Sequence, residues 1–120
     1  MSRIRGRVEM FGIPNCDSIK KARKWLEAEG IDYRFHDYKK EGVDGALLAK
    51  WCSAKGWEVL LNRRGTTWRK LPGNMKEDMD EAKAIALMAE HPSMIRRPVL
   101  VADDIVEVGF SPECYRQLLG

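Results

Sequence analysis

Short runs of apolar and alternating residues mark four strands along this chain. Residues 8–12 and residues 31–38 alternate apolar and polar positions, which predicts two strands. Residues 99–102 are continuously apolar, as is typical of a buried strand, and residues 105–108 form a further run. Asp103-Asp104 predicts a tight turn between them, so we expect the last two strands to form an antiparallel hairpin.

Three segments repeat apolar residues at three- and four-residue spacing, which predicts amphipathic helices. The first follows a cap at Asp17 or Ser18 and ends at about Glu29, the second covers residues 43–55, and the third covers residues 80–90. Their predicted apolar faces are Ile19, Ala22, Trp25 and Leu26; Leu47, Leu48, Trp51 and Cys52; and Ala82, Ile85, Ala86 and Ala89.

The order of these elements predicts the fold class. A last helix begins at Ser111, a favourable cap, followed by Pro112 at the first helical position. Strand, helix and strand come first, then a helical block, then two strands and a helix. This βαβ…ββα order predicts an α/β, thioredoxin-like fold with a four-stranded mixed sheet, whose first two strands are parallel neighbours. We expect one domain over residues 1–120 with an all-helical insertion at about residues 43–92, interrupted by Pro72-Gly73-Asn74. A ferredoxin-like α+β sandwich is the alternative, but it would need no helical block.

Composition predicts a cytoplasmic protein without a membrane partner. Hydrophobic residues make up 44% of the chain and charged residues 32%, and no apolar run approaches the roughly 20 residues of a membrane span. Residues 1–7 are basic but lead into no signal-peptide core, and we interpret them as a frayed tail. The net charge of +3 arises from 21 basic and 18 acidic residues. That balance is too even to indicate a nucleic-acid partner.

Basic residues are concentrated in four places, at residues 20–24, 63–64, 69–70 and 96–97. Two interpretations remain open for them. They either converge on one anion-binding cleft or cover separate solvated faces, and charge alone favours the second.

Three cysteines, Cys16, Cys52 and Cys114, lie far apart in the sequence. No C-x-x-C motif and no cysteine–histidine pair has the spacing of a zinc site, so we expect no metal. An odd number of cysteines also argues against a disulfide framework. Cys52 follows Trp51 on an apolar helix face, where a packing role is favoured. Cys114 lies in the first turn of the last helix, and its role stays open.

Cys16 is the candidate reactive thiol, because it lies where the first strand leads into the first helix. The free backbone N–H groups and the helix dipole favour a thiolate there and lower its pKa. The neighbouring Asn15 and Lys20 are candidate anion-binding residues. The alternative is an inert buried cysteine, which is the usual state of a free cysteine.

Arg97 and Pro98 form the second candidate feature. A proline entering a central strand cannot donate to the sheet, and a cis peptide bond is one way to accommodate it. In a thioredoxin-like fold this corner faces the nucleophile, so Arg97 would bind an oxyanion or carboxylate. A plain loop arginine before a strand is the alternative.

Four segments of the chain resemble the arsenate reductase/Spx (ArsC-like) family, and within it the YffB-type branch. They are GIPNCDSIKKA at residues 12–22, YRFHDY at residues 33–38, NRRGTTWRKL at residues 62–71 and RRPVLV at residues 96–101. The resemblance extends from about Val8 to Leu119 and keeps the order and spacing of the motifs.

The resemblance implies a thioredoxin-like fold with a helical insertion and a cysteine nucleophile. In the family's arsenate reductases that cysteine attacks arsenate, glutathione then displaces oxygen, and glutaredoxin completes the reduction. By position, Cys16 matches the nucleophile and Arg97 an oxyanion-binding arginine ahead of the proline. Two further arginines of that site would fall near residues 58–61 and 109–112, where this chain has none.

The Spx-type transcription regulators of the family carry a C-x-x-C redox switch at this place. Ile19 occupies the position of the second cysteine here, so the chain cannot form that local disulfide.

These observations favour a glutathione-dependent thiol oxidoreductase. Because no resolving cysteine is near, Cys16 would form a mixed disulfide that an external thiol resolves. Glutathione is the expected co-substrate, with no bound cofactor. Arg63, Arg64 and Arg97 are predicted to hold its carboxylates, and the edge before Pro98 is predicted to pair with its backbone. The alternatives are an arsenate reductase coupled to glutathione and glutaredoxin, and a non-catalytic Spx-like regulator that binds RNA polymerase.

Overall fold

The computed structural model describes residues 8–102 and 105–119. The predicted tail at residues 1–7 and the predicted Asp103-Asp104 turn lie outside the described residues. The strands are β1 (Val8–Gly12), β2 (Arg34–Asp37), β3 (Val99–Ala102) and β4 (Ile105–Val108). The helices are α1 (Asp17–Ala28), α2 (Tyr38–Glu41), α3 (Gly45–Lys55), α4 (Trp57–Leu60), α5 (Thr66–Arg69), α6 (Gly73–Lys76), α7 (Glu81–Glu90) and α8 (Pro112–Leu119), with a 3₁₀ turn at Pro92–Met94. In these two ranges no helix has the length and apolar character needed to cross a membrane.

The described residues form two compact units. One, the sheet unit, contains the described residues up to Lys40 and from Arg97 onward. The other, the helical unit, is Glu41–Arg96. That the helical unit is an insertion within a single domain stays a prediction.

The sheet has the strand order β2-β1-β3-β4. β1 runs parallel to β2, with register partners from Glu9 and Arg34 to Gly12 and Asp37. β3 is antiparallel to β1 and to β4. Parallel β1 and β2 around a helical connection, followed by an antiparallel hairpin, confirm the predicted thioredoxin-like fold with a four-stranded mixed sheet.

The core of the sheet unit lies on the sheet face that α1 and α8 cover. It comprises Val8, Met10, Ile19, Ala22, Leu26, Leu100, Ala102, Tyr115 and Leu119. Ile19, Ala22 and Leu26 come from one face of α1, as their spacing predicts. Ile19 and Leu26 have no exposed surface, and burying each of these side chains contributes about 1.5–3 kcal/mol.

The predicted apolar face of α7 is wrong. The buried residues of this helix are Ala84, Leu87 and Met88, which are spaced three and four apart. Of the predicted set, Ala82, Ala86 and Ala89 are exposed and Ile85 is half-buried. Leucine and methionine remove far more apolar area from water than alanine, so the helix turns that pair inward.

The second strand and the segment at residues 72–74 differ from their predicted form. The second strand is shorter than residues 31–38, because β2 pairs with β1 only from Arg34 to Asp37 and the chain turns into α2 at Tyr38. The predicted break at Pro72-Gly73-Asn74 instead opens the short helix α6, whose N-cap residue is Pro72.

Candidate functional site

Cys16 is the N-cap residue of α1, one residue earlier than the predicted cap. Its backbone is extended, with φ −104° and ψ 132°, and its carbonyl accepts the Lys20 N–H at 2.9 Å. The cysteine side chain forms no capping hydrogen bond. The backbone N–H groups of the first helical turn nevertheless favour a negative charge on this sulfur.

The pKa of Cys16 is lowered from its ordinary value. Partial burial is the largest single influence and opposes ionisation, because a thiolate loses hydration there. The backbone N–H groups of Ile19 and Ser18 and the Arg97 guanidinium favour the thiolate and together outweigh that burial. The thiol therefore carries more thiolate near neutral pH than a free cysteine would.

Arg97 lies two residues before β3, and its guanidinium acts on the Cys16 thiol. The Arg97–Pro98 peptide bond is cis, and β3 pairs with β1 so that Val99 lies opposite Phe11. Arg97 consequently lies beside the end of β1, where its Cβ is 3.7 Å from the position that a Cβ on Gly12 would occupy. Burial works against the charge of Arg97, but its interactions with Tyr38 and Cys16 prevail and raise its pKa.

Tyr38 belongs to this site and was missed from the sequence. It is fully buried, and its hydroxyl accepts a hydrogen bond from Arg97 Nη1 at 3.3 Å. Burial raises the pKa of Tyr38, although Arg97 acts in the opposite direction. A signal was available: Tyr38 follows the second of two parallel strands, and the carboxyl ends of such strands meet at one edge of a sheet, where sites form.

The remaining predicted site residues lie in different places. Asn15 and Lys20 are exposed next to Cys16 in sequence, and the bond that Lys20 makes to Cys16 comes from its backbone. Pro98 is buried. Arg63 and Arg64 are exposed in the helical unit.

Within the helical unit, the guanidinium of Arg63 lies over the Trp57 ring, 5.9 Å from its centroid. The backbone N–H of Arg64 donates to Asn62 Oδ1 at 3.1 Å. Anion binding by Arg63, Arg64, Asn15 and Lys20 stays a prediction.

The other two cysteines differ from Cys16. Cys52 is 3% exposed, and burial, followed by the charge of Glu81, raises its pKa. Cys114 is half-buried, and its backbone N–H donates to Ser111 Oγ at 3.2 Å, which confirms Ser111 as the cap of α8. Across the described ranges, no three histidine, cysteine or carboxylate side chains lie together in a way that could hold a metal ion.

Three comparisons relate this chain to known proteins. A solved structure of the YffB protein is 50% identical and superposes with a TM-score of 0.92, covering 94% of this chain and 99% of its own. A solved arsenate reductase (ArsC) related protein from Brucella melitensis is 51% identical with a TM-score of 0.75, covering 94% of both chains. The global transcriptional regulator Spx of Streptococcus pyogenes is 28% identical over 93% of this chain and 84% of its own.

The likeness covers the whole site. The model of the ArsC family matches residues 11–118, a span that contains Cys16, Tyr38 and Arg97. The relatives of this chain include arsenate reductase-like and Spx-like proteins. Their fold is typical of thiol oxidoreductases. The chain therefore belongs to the ArsC family.

Proposed function

We propose that this protein is a glutathione-dependent thiol oxidoreductase with Cys16 as its single nucleophile. The observation that supports this most directly is the lowered pKa of Cys16 at the start of α1, beside Arg97. A thiolate, and not a thiol, attacks a disulfide sulfur. Cys16 is only partly buried, which is compatible with attack on a small substrate.

The chemistry we propose is a two-step exchange. In the first step the Cys16 thiolate attacks a glutathione mixed disulfide, so that a bond forms between Cys16 and the glutathione sulfur while the substrate's disulfide bond breaks. The substrate leaves as a thiolate. In the second step the thiolate of a second glutathione attacks the glutathione sulfur on Cys16, which releases Cys16 as a thiolate and forms oxidised glutathione. Each step breaks one S–S bond and forms another, so the electrons balance.

The surroundings of Cys16 are the reason why we propose that the second thiol comes from a separate molecule. Ile19, where a C-x-x-C motif would have its other cysteine, has no exposed surface and packs in the core. Arg97 has a separate role in this proposal. In the first step its guanidinium stabilises the attacking Cys16 thiolate. In the second step it stabilises the same thiolate when Cys16 is released as the leaving group.

The test is adduct formation with oxidised glutathione. We expect intact mass spectrometry to show one added glutathione, peptide mapping to assign it to Cys16, and excess reduced glutathione to remove it. The Cys16→Ser variant should gain no glutathione at position 16. The buried Cys52 should stay unmodified in both proteins. Absence of an adduct on Cys16 in the wild-type protein would overturn the proposal.

Arsenate reduction by the same nucleophile is a second candidate. The positive guanidinium of Arg97 beside Cys16 suits an oxyanion, and a 51% identical structure is described as arsenate reductase related. A coupled assay with glutathione and glutaredoxin decides this candidate. Turnover well above that of Cys16→Ser supports it, and turnover equal to that variant rejects it.

A regulatory role without catalysis is the third candidate, because the Spx of Streptococcus pyogenes aligns over 93% of this chain. Such a protein would bind a partner such as RNA polymerase whether or not Cys16 is present. Affinity capture with RNA polymerase using wild type and Cys16→Ala tests it. Equal capture by both, together with a Cys16 pKa near the ordinary value of about 8.5, would favour regulation over catalysis.

A further inference from the structure

We infer that Tyr38 is a positioning residue that holds the Arg97 guanidinium beside the Cys16 sulfur. This inference rests on the proposed role of Cys16 as a nucleophile. It concerns the state of the thiol before any substrate binds.

The position of Tyr38 is well determined by packing. Its side chain has no exposed surface, and it directly follows Asp37, the last residue of β2 and the register partner of Gly12. Tyr38 therefore lies beside the end of β1, from which the chain turns to Cys16. A buried tyrosine ring has few rotamers, so its hydroxyl is held at one point.

The hydrogen bond from Arg97 Nη1 to this hydroxyl, 3.3 Å long, anchors one end of the guanidinium. An arginine side chain has several rotatable bonds, and its planar donors act on a partner only when their orientation is right. Half-burial brings the guanidinium out of bulk water, where its charge acts on a thiolate more strongly. Tyr38 thus limits the directions in which Arg97 can point.

The side chains of Cys16, Tyr38 and Arg97 are close enough to influence one another electrostatically. The negative charge of Cys16 acts on Tyr38, and Arg97 acts on both. Asp37 is a further acidic group near Tyr38. Burial raises the pKa of Tyr38, so it is protonated at neutral pH and carries no charge. The route from Tyr38 to Cys16 that we infer is therefore the orientation of Arg97, to which its hydroxyl is bonded.

A double-mutant cycle on the pKa of Cys16 tests this route. We would measure alkylation of Cys16 against pH, with peptide mapping, in wild type, Tyr38→Phe, Arg97→Gln and the double variant. Tyr38→Phe keeps the buried ring and removes the acceptor. We expect it to raise the pKa of Cys16 in the wild-type background and to cause no further rise when Arg97 is already replaced.

Tyr33→Phe is the matched control. Its hydroxyl accepts a hydrogen bond from Arg23 Nε at 2.9 Å, so this variant also removes a tyrosine–arginine bond from the sheet unit. The pKa of Cys16 should not change. A purely structural role for Tyr38 would shift the pKa equally in both Arg97 backgrounds or leave it unchanged, and either result overturns the inference.

The design separates this inference from the proposed function, because alkylation needs no glutathione. An intact coupling without a glutathione adduct would overturn the proposed function alone. An adduct without the coupling would overturn the role of Tyr38 alone. A urea unfolding curve for each variant verifies that it is folded. If Tyr38→Phe does not fold, Arg97→Lys tests the same route, because lysine keeps the positive charge but lacks the planar donors that Tyr38 orients. A Cys16 pKa as low as in the wild type would then overturn the inference.

Discussion

Ile19 packs so closely against Gly12 that a Cβ at position 12 would overlap the Ile19 side chain. Gly12 ends β1, and Ile19 lies in the first turn of α1, where its backbone N–H favours the Cys16 thiolate. A glycine at the end of the strand therefore allows the helix to begin close to the sheet edge. This close approach brings Cys16 into reach of Arg97.

Replacing Gly12 with alanine should destabilise the protein. The added methyl group must displace Ile19, which is fully buried, and overpacking of this kind costs about 1–3 kcal/mol. Urea unfolding would show a lower midpoint with an unchanged slope. Gly73→Ala is the control, because no atom lies within 4 Å of its added Cβ. An equal loss in both variants would contradict the steric explanation.

The stability that Cys16 contributes should depend on pH. Its folded pKa is below the unfolded value of about 8.5, so its contribution is present above that value and is lost as the pH falls through the folded pKa. Under reducing conditions, the free energy of unfolding of wild type minus that of Cys16→Ser should rise with pH between the folded pKa of Cys16 and the unfolded value of about 8.5, and level off above it.

The buried Cys52, whose pKa is raised, works in the opposite direction and at higher pH, as the pH rises above the unfolded value of about 8.5. It is present in both proteins, so its contribution cancels in the difference. A difference that is flat or that falls with pH would contradict a lowered pKa for Cys16.

Two aspartates cap the main helices of the helical unit. Asp44 accepts the Leu47 N–H at 2.7 Å, and Asp80 accepts the Lys83 N–H at 2.8 Å. Replacing either with alanine should lower the free energy of unfolding by about 0.5–2 kcal/mol, whereas asparagine keeps an acceptor and should cost much less. Chemical denaturation measures both. Equal losses for alanine and asparagine would rule out capping as the cause.

The hydroxyl of Tyr115 is buried without a hydrogen-bond partner in the described part of the chain. Its ring packs edge-on against Trp25 and Phe110. An unsatisfied buried hydroxyl costs about 1–3 kcal/mol, so Tyr115→Phe should keep or raise the thermal stability. A clear fall in the melting temperature, measured by circular dichroism, would mean that the hydroxyl has a partner.

Much of the sheet unit could be predicted from sequence. Period-two and period-three-to-four patterns place β1, α1, β3, β4 and α8 close to their observed bounds. The same patterns place Cys16 at a strand-to-helix junction. These local patterns agree with the folded structure because each element buries the face that its own sequence makes apolar.

Predictions failed where the choice depended on neighbours. The apolar residues of α7 offered more than one plausible inward face, and packing selected Ala84, Leu87 and Met88. The end of β2 was set by its pairing with β1, which is a contact between distant residues. The alternation of residues 31–38 predicts Tyr38 to be the end of a strand, and that pattern carries no signal for a hydroxyl at the site.

By itself, the sequence determined the fold class and the place of Cys16 at a helix start, because strand and helix periodicity and a strand-to-helix junction are local properties. Only the tertiary structure decided what surrounds that thiol. Arg97 lies 81 residues after Cys16 in the sequence, and its bond to Tyr38 spans 59 residues. Such contacts arise when β1, β2 and β3 pair, because strand pairing brings distant backbone ends to one edge of the sheet.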